Sequence, residues 1–449
     1  MKLRNIIVST FCFGFLLLGC SEDLDLSDPN NIGSEIALST DKNIKTTLIG
    51  AYDALSAPAF FGGNTQRNSE LLAANGEITF TGTFNDPADI YRKSMITANA
   101  DATAMWLAAY STINICNNVL SALERVNAED RAQVEGEALF LRGLSLFELT
   151  LFFAKPYSDG NVTTNPGVPI MGVEDRNSTG NKSRATVAET YVAIINDLTR
   201  AESLLGADRK NGKATKSSAA AVLSRVYLQT ANYVGARDAA DRVISSGNYS
   251  LTSSVASAFN GTHSTEDVFD IPVSSVDGLN TFVTFYSATV NGGRGDIEIQ
   301  APHFLQYEVG DARRSFYYAD PATGDTRTSK WVNRFSSVKV IRLAEMYLTR
   351  AECNIRLNTT VGATPLVDLN RIRSRGNLSP LPVATLAAAL QERRIELAHE
   401  GARVHDIKRL GLTVVEGTNT YPFNSTRLIF PIPQREIDIN KGLTQNEGY

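Results

Sequence analysis

The sequence is poor in the residue types on which many metal sites and catalytic sites depend. Its 449 residues include only four cysteines, four histidines and two tryptophans, and no Cys-x-x-Cys or His-Glu-x-x-His motif occurs. These absences argue against a zinc site and against a common metallopeptidase arrangement. The nucleophile motif Gly-x-Ser-x-Gly is also missing. We therefore expect no metal, no cofactor and no catalytic residue.

A basic excess is missing too. Lys and Arg total 43 against 48 Asp and Glu, which gives a formal net charge of −5. This balance disfavours nucleic acid as a partner, because binding to phosphates calls for a basic surface. After residue 20, no run reaches the ~18 apolar residues of a membrane span. Hydrophobic residues make up 43% of the chain and charged residues 20%, which is typical of a folded globular protein.

The first twenty residues have the organisation of an export signal. Lys2 and Arg4 precede an apolar stretch over residues 6–18, which is too short for a spanning helix. The sequence Leu-Leu-Gly-Cys that ends at Cys20 resembles a bacterial lipobox, in which cleavage precedes the cysteine and the thiol carries acyl chains. Residues 1–19 are thus predicted to be a signal peptide, with lipidation at Cys20. An ordinary secretory signal with an incidental cysteine is the alternative.

Helical periodicity dominates the remainder of the chain and predicts a mostly α protein. After a polar tether over residues 20–38, we predict one domain over 39–449. Its last helices are predicted at 339–357, 364–374 and 384–410. Apolar residues recur at helical spacing in four scaffold segments, which are about 39–57, 101–154, 186–246 and 339–410. Between them lie two insertions, about 58–98 and 247–338, which we interpret as loops with short strands.

A weak internal repeat indicates the type of scaffold. Tyr227–Ala231 reads Tyr-Leu-Gln-Thr-Ala, and Tyr347–Ala351 reads Tyr-Leu-Thr-Arg-Ala. The first is followed by a predicted helix whose Ala236, Ala239 and Ala240 permit close contact. These features suit stacked helix pairs of tetratricopeptide type. Two ordinary amphipathic helices that share a common pentapeptide are the alternative.

Several motifs, in this order, resemble those of the SusD/RagB family of Bacteroidetes outer-membrane lipoproteins. Glu137–Gly143 and Arg342–Glu352 resemble two signature helices of that family. The most specific match is Glu392–Arg409, and Phe430–Pro433 lies near the end of the chain. Glu447 stands where the family usually has proline. The resemblance covers almost the whole length.

The resemblance implies a function without catalysis. It implies a lipid-anchored outer-membrane protein that faces the cell exterior, captures glycan fragments and passes them to a SusC-like TonB-dependent transporter. The acidic segment Ser21–Asp25 resembles the tag that directs such lipoproteins to the surface. Two alternatives stay open, a RagB-like protein that binds peptides and a lipid-anchored glycosidase.

Glu392, Glu396 and Glu400 lie four residues apart on one predicted helix face. Because arginines lie nearby, we interpret these carboxylates as ion-pair partners that hold helices together rather than as an acid/base pair. Cys116 and Cys353 are predicted to be buried free thiols. His399 and His405 are expected to be solvated or to cap a helix. The segment 320–325 is predicted to be a polar turn, with weak calcium binding as the alternative.

Aromatic residues concentrate in the second insertion. Residues 259–335 contain twelve aromatic residues among 77 positions, about twice the 8% of the whole chain. An aromatic face packs against the C–H face of a sugar ring, while neighbouring Arg, Asn and Asp bind its hydroxyls. A smaller group lies in the first insertion. The predicted ligand-binding residues, drawn from both insertions, are Phe80, Phe84, Asn85, Tyr286, Arg294, Phe304, Tyr307 and Tyr317.

Overall fold

The computed structural model describes residues 34–175, 181–209, 211–276 and 278–449. Helices dominate this part of the chain, as the periodicity predicts. The predicted signal peptide, Cys20 and the tether up to residue 33 lie outside the described residues. Nine of the described helices have more than ten residues and form the scaffold. They are α2 (Asp41–Ser56), α5 (Ala100–Leu120), α6 (Ala128–Phe153), α7 (Val187–Leu204), α8 (Lys216–Gln229), α9 (Tyr233–Ser245), α12 (Leu343–Leu357), α13 (Pro365–Arg375) and α14 (Leu386–Glu396).

Shorter helices connect the scaffold and fill the insertions. They include a polar helix in the first insertion and the helix that follows α14. In chain order they are α1 (Ser34–Ala37), α3 (Asn64–Leu72), α4 (Asn85–Arg92), α10 (Thr281–Tyr286), α11 (Ala301–Phe304), α15 (Arg403–Leu410) and α16 (Gln434–Ile439).

Successive helices pack as pairs, which confirms the predicted tetratricopeptide-like scaffold. Helix α9 packs against both α8 and α12, and α6 packs against α5 and α7. Ala236, Ala239 and Ala240 on α9 are fully buried, so these small side chains allow the neighbouring helices to approach closely. Most buried apolar side chains of the described chain join one continuous core. The repeated pentapeptides thus lie in two helices that contact α9.

Local sequence explains where the scaffold helices begin. The Thr186 hydroxyl accepts a hydrogen bond from the Glu189 backbone N–H, and the Glu189 carboxylate accepts one from the Thr186 N–H. This reciprocal pair satisfies two backbone donors at the start of α7. Thr40 and Thr215 cap α2 and α8 in a similar way, each through its hydroxyl. Such caps fix helix starts from sequence alone.

In the part of the chain that the structure describes, eight short strands form four two-stranded antiparallel ladders. Two of these ladders join distant parts of the sequence, and the other two are local hairpins. The pairs are β1 (Ile78–Phe80) with β3 (Ile297–Ile299), β2 (Asp267–Ile271) with β6 (Val338–Arg342), β4 (Tyr317–Ala319) with β5 (Thr326–Thr328), and β7 (Val414–Glu416) with β8 (Asn419–Tyr421). The β1–β3 ladder links the two insertions.

Three of the predicted secondary-structure assignments are wrong. Residues 338–342 form β6 rather than the start of a helix, because the β-branched sequence Val-Lys-Val-Ile-Arg pairs with β2. The predicted helix 384–410 is broken between α14 and α15, where His399 and Gly401 have positive φ. The first insertion, predicted to be loops with short strands, contains α3 and α4, whose nine and eight residues are too short to repeat an apolar stripe.

The Glu392–Arg409 segment forms a buried network of ion pairs, as predicted. Arg313 Nη1 lies 2.5 Å from Glu392 Oε1, and Arg342 Nε lies 2.7 Å from Glu400 Oε2. Glu396 contacts Arg342, Arg313 and Arg375. The main partners come from distant segments rather than from neighbouring turns of the same helix. The network therefore joins α14 to β6, α13 and the loop before β4.

The described residues agree with two further predictions. Cys116 and Cys353 are free and buried, and burial raises the pKa of each thiol to about 12. Among the described helices, none has the length and apolar character needed to cross a bilayer.

Candidate functional site

The two aromatic insertions meet at the β1–β3 ladder. Phe80 pairs with Ile297, and the backbone N–H of Thr81 donates to the carbonyl of Asp296 at 2.8 Å. A Cβ on Gly82 would lie 2.5 Å from the Asp296 carboxyl carbon, so this close approach requires glycine. The segments that flank the ladder are therefore held side by side.

Phe84, Asn85 and Arg294 lie together beyond this ladder, and we call them the outer patch. The Phe84 ring is 46% exposed and immediately precedes α4, and Asn85, the first residue of α4, is exposed. The guanidinium carbon of Arg294 lies 4.3 Å from the centroid of the Phe84 ring. One aromatic, one amide and one guanidinium side chain from the predicted set thus share one surface.

Hydrogen bonds orient the Arg294 side chain over the ring. Arg294 Nε donates to Asp296 Oδ2 at 3.0 Å, and Nη2 donates to Thr83 Oγ1 at 3.1 Å. Among the described residues, Nη1 has no hydrogen-bond partner, so it can donate to a ligand. Phe285 supports the patch from below, since its ring packs edge-on to Phe84 with centroids 6.4 Å apart.

Two predicted contact residues, Phe80 and Tyr286, are buried. Phe80 lies in β1 and Tyr286 ends α10, and both pack in the core. Tyr286 follows Phe285 in α10, so this short helix lies between the outer patch and a second aromatic group. Neither buried ring offers a surface for direct contact with a ligand in this conformation.

The second group is a half-buried cluster around His303, and we call it the inner cluster. Phe304, Tyr307 and Tyr317 from the predicted set all contact the His303 ring. The Tyr317 hydroxyl lies 2.5 Å from His303 Nε2, and the Tyr307 hydroxyl lies 3.0 Å from both. Because these polar atoms satisfy one another, a ligand would meet ring edges and faces rather than free hydroxyls.

Burial keeps the histidines of this region neutral. It lowers the pKa of His303 to about 4, and it lowers the pKa of His399 well below the usual range. The two rings lie 4.8 Å apart, at a narrow cavity of about 30 Å³ that Glu70 and Arg403 also line. The expectation that His399 and His405 are solvated or cap a helix is wrong, because both side chains are buried.

The carboxylates of α14 have the environment of structural ion pairs. Burial raises the pKa of Glu396, but the charges of Arg375, Arg342 and Arg313 outweigh burial and lower it to about 2. Burial also raises the pKa of Glu392, against the opposing effect of Arg313. Both carboxylates are saturated by arginine contacts, which leaves neither free to act on a substrate.

The segment 320–325 forms the loop of the β4–β5 hairpin. Arg327 Nη2 lies 2.8 Å from Asp325 Oδ2, and Arg327 Nε lies 3.3 Å from Asp320 Oδ2. A guanidinium group therefore occupies the space between the two carboxylates where a calcium ion would need to bind. This arrangement favours the predicted polar turn.

Sequence reasoning missed the residues that organise both groups. His303 holds the inner cluster together, but its neighbours in the sequence carry no motif. Thr83 and Asp296 orient Arg294 from opposite sides of the β1–β3 ladder, 213 residues apart in sequence. A pairing between such short and distant strands leaves no periodic signal in the sequence.

Comparisons with known proteins agree with this architecture. Residues 23–228 match a family profile described as "Starch-binding associating with outer membrane", and residues 316–426 match the profile of the SusD family. The SusD-like protein P2 of Formosa agariphila is 26% identical, over 96% of this chain and 97% of its own length. The starch-binding protein SusD of Bacteroides thetaiotaomicron is 32% identical over 25% of this chain.

A solved structure has the same fold. A SusD superfamily protein from Bacteroides thetaiotaomicron superposes with a TM-score of 0.82 and 26% identity, which covers 91% of this chain and 99% of the other. The two family profiles cover most of the scaffold helices, and the ordered motifs from Glu137 to Arg409 lie mainly in buried helices. The chain belongs to the SusD/RagB family.

Proposed function

We propose that the protein is a lipid-anchored outer-membrane protein that captures oligosaccharides or polysaccharide fragments at the cell surface. It passes them, with no bond broken, to a SusC-like TonB-dependent transporter. The observation that carries this proposal is the outer patch, where a half-exposed aromatic ring adjoins a free guanidinium nitrogen and an exposed amide. Family membership and the similarity to the starch-binding, outer-membrane profile support a glycan ligand and the outer membrane.

The outer patch suits a sugar ring. The exposed surface of Phe84 offers an apolar contact for the C–H face of a pyranose, while Arg294 Nη1 and the Asn85 amide can bind its hydroxyls. Because water competes for the same groups, each site binds weakly. Many anchored copies that share one polymer compensate through avidity.

Binding to a polysaccharide panel that includes starch tests this proposal, by affinity electrophoresis and calorimetry. We expect Phe84→Ala to reduce affinity about tenfold, since it removes an apolar contact surface worth roughly 1.5 kcal/mol. Tyr233→Ala is the matched control. Tyr233 also lies under a guanidinium group, with Arg356 4.7 Å from its centroid, but it belongs to the scaffold. Equal losses in both variants would contradict a site at the outer patch.

The same panel separates capture from the alternatives. Capture predicts that the polymer length stays unchanged during incubation and that a barrel protein co-purifies from native membranes. Release of shorter products, abolished by one Asp or Glu substitution, would instead indicate a glycosidase. Binding to peptides with no binding to any glycan would favour the RagB-like alternative.

A further inference from the structure

An irregular strand brings two carboxylates together. Asp267 and Asp270 belong to β2, and residues three apart in a regular strand point to opposite faces. The pairing of β2 with β6 shifts register between Asp267 and Phe269 and again between Phe269 and Asp270. Such irregularities redirect side chains. As a result, ligand atoms of Asp267, Asp270 and His263 lie within 4.8 Å of one another.

The cluster has more negative charge than its neighbours neutralise. Lys339 on β6 pairs with Asp267, with Nζ 2.7 Å from Oδ2, and both side chains are 1% exposed. His263 Nδ1 lies 2.7 Å from Asp270 Oδ2. Arg209 is also near, but it donates to the backbone carbonyl of Ser264. Arg342, opposite Asp267 in the ladder, is engaged by Glu266 and Glu400. Among the described residues, one lysine therefore pairs directly with one of the two buried carboxylates, and an imidazole faces the other.

The carboxylates also keep coordination capacity. Asp267 Oδ1 is buried and has no hydrogen-bond partner within the described parts of the chain, in a residue that is only 4% exposed. Asp270 Oδ1 accepts one long hydrogen bond, from the backbone N–H of Gly212 at 3.3 Å. An unsatisfied buried oxygen costs free energy unless a partner fills the position. The His263 side chain is 25% exposed, so solvent reaches the cluster from its side.

We propose that His263, Asp267 and Asp270 bind one divalent transition-metal ion of the zinc class, with water at the remaining position. One imidazole nitrogen and two carboxylate oxygens match the ligands and the number of protein donors at open zinc sites. Calcium requires six to eight oxygens, which this cluster does not supply. On binding, the ion replaces the hydrogen bond between His263 and Asp270. A proton on the coordinating nitrogen moves to the other ring nitrogen of a neutral imidazole, or to solvent from an imidazolium. The absence of cysteine clusters conceals such a site, because its ligands are common residue types.

The test uses untagged protein that has been stripped with a chelator and then titrated with Zn²⁺ by calorimetry. We expect one ion per chain and a rise in the thermal midpoint, because the ion binds the folded state. His263→Gln and Asp270→Asn should each lower the affinity by about a hundredfold or more, as loss of a direct ligand exceeds loss of a supporting residue. Asp53→Asn is the matched control, since Asp53 is an exposed carboxylate on α2. Cobalt, in place of zinc, should give visible absorption in the wild type and in Asp53→Asn, but not in the two ligand variants.

The proposal is overturned if the wild type binds no Zn²⁺, or if both ligand variants bind it as tightly as Asp53→Asn does. His263→Gln decides the question should Asp270→Asn fail to fold, because His263 lies on a partly exposed loop. Circular dichroism of the metal-free variants shows whether folding is intact. This inference is independent of glycan capture, since it concerns neither the outer patch nor the inner cluster.

Discussion

Arg342 shows how single residues hold this scaffold together. Its guanidinium group is 1% exposed and lies 2.8 Å from Glu266 and 2.7 Å from Glu400. Arg342→Met would leave several buried carboxylates without a partner, so we expect a loss of roughly 3–5 kcal/mol in the free energy of unfolding. Urea denaturation measures it. Arg200→Met is the control, because Arg200 is 56% exposed in its pair with Glu135 and should cost less than about 1 kcal/mol. A similar loss in the free energy of unfolding for both variants would show that burial does not make the Arg342 ion pairs more important than an exposed pair.

Glu70 gives a prediction of pH dependence at the same scale. Burial raises the pKa of its carboxyl to about 7, despite a hydrogen bond from the Gly401 N–H. The folded state therefore binds this proton more tightly than the unfolded chain. The resulting stability is fully present below pH 4.5 and is lost as the pH rises through 7. Glu70→Gln mimics the protonated form, so its stability relative to wild type should rise with pH by on the order of 3 kcal/mol.

Unfolding curves at a series of pH values check this expectation. Glu124→Gln is the matched control, because Glu124 is exposed and its substitution should leave the pH profile parallel to that of the wild type. If the pH profile of the unfolding free energy of Glu70→Gln were also parallel to that of the wild type, the Glu70 carboxyl would have the same proton affinity in the folded and unfolded states.

At the scale of elements, the sequence predicts a helix well where one apolar stripe of that helix faces the core. It fails where tertiary contacts determine the secondary structure. The stripe that includes Ile44, Leu48 and Leu55 predicts α2 almost to the residue. Helix α3 escaped notice because seven of its nine residues are polar, yet Arg67 and Asn68 are buried and bonded to each other. Hydrophobic periodicity does not reveal a helix that buries its polar side chains against other polar groups.

The candidate site follows the same rule. Phe84 and Arg294 could be predicted as ligand-binding residues from their residue types, because aromatic residues among polar loop residues indicate binding. Their contact could not be predicted, since it depends on the pairing of three-residue strands. Phe80 and Tyr286 are aromatic residues of the same insertions but pack inward, because Phe80 lies on the core-facing side of β1 and α10 buries all of its aromatic side chains. Composition thus locates the region, and the fold selects the exposed members.

The turn between α14 and α15 can be tested directly. Gly401 has φ of +85°, and a Cβ there would lie 2.5 Å from the Cβ of Gln66. Gly401→Ala should therefore destabilise the protein by roughly 1–3 kcal/mol, from backbone strain and from the clash with α3. Gly50→Ala is the control, because Gly50 lies within α2 with nothing within 4 Å of its Cβ position. There alanine should stabilise by up to about 1 kcal/mol. Thermal melts measure both effects. A lowered midpoint in both variants would contradict the assignment of the strain to Gly401.

At the scale of the whole molecule, the function requires that a rigid scaffold carry the outer patch on a membrane surface. The ion-pair network joins α14 to distant segments, and the β1–β3 ladder fixes the two insertions to each other. The patch is therefore preorganised, so little conformational entropy is lost when a ligand binds. Weak individual sites of this kind become effective only when many copies are held at the same surface.

The proposed capture thus depends on the predicted anchoring at Cys20. Cys20→Ala should abolish acylation and release the protein from the membrane fraction, because the acyl chains supply about 0.8 kcal/mol per buried CH₂ group. Labelling with a palmitate analogue and fractionation of cells measure both effects. Cys12→Ala is the matched control, since Cys12 lies in the predicted signal peptide and should leave labelling unchanged. The released variant should still bind glycan in solution with the affinity of a single site, yet it should no longer support growth on the polymer. Retention of Cys20→Ala in the membrane fraction without label would show that another contact, rather than lipid, holds the protein there.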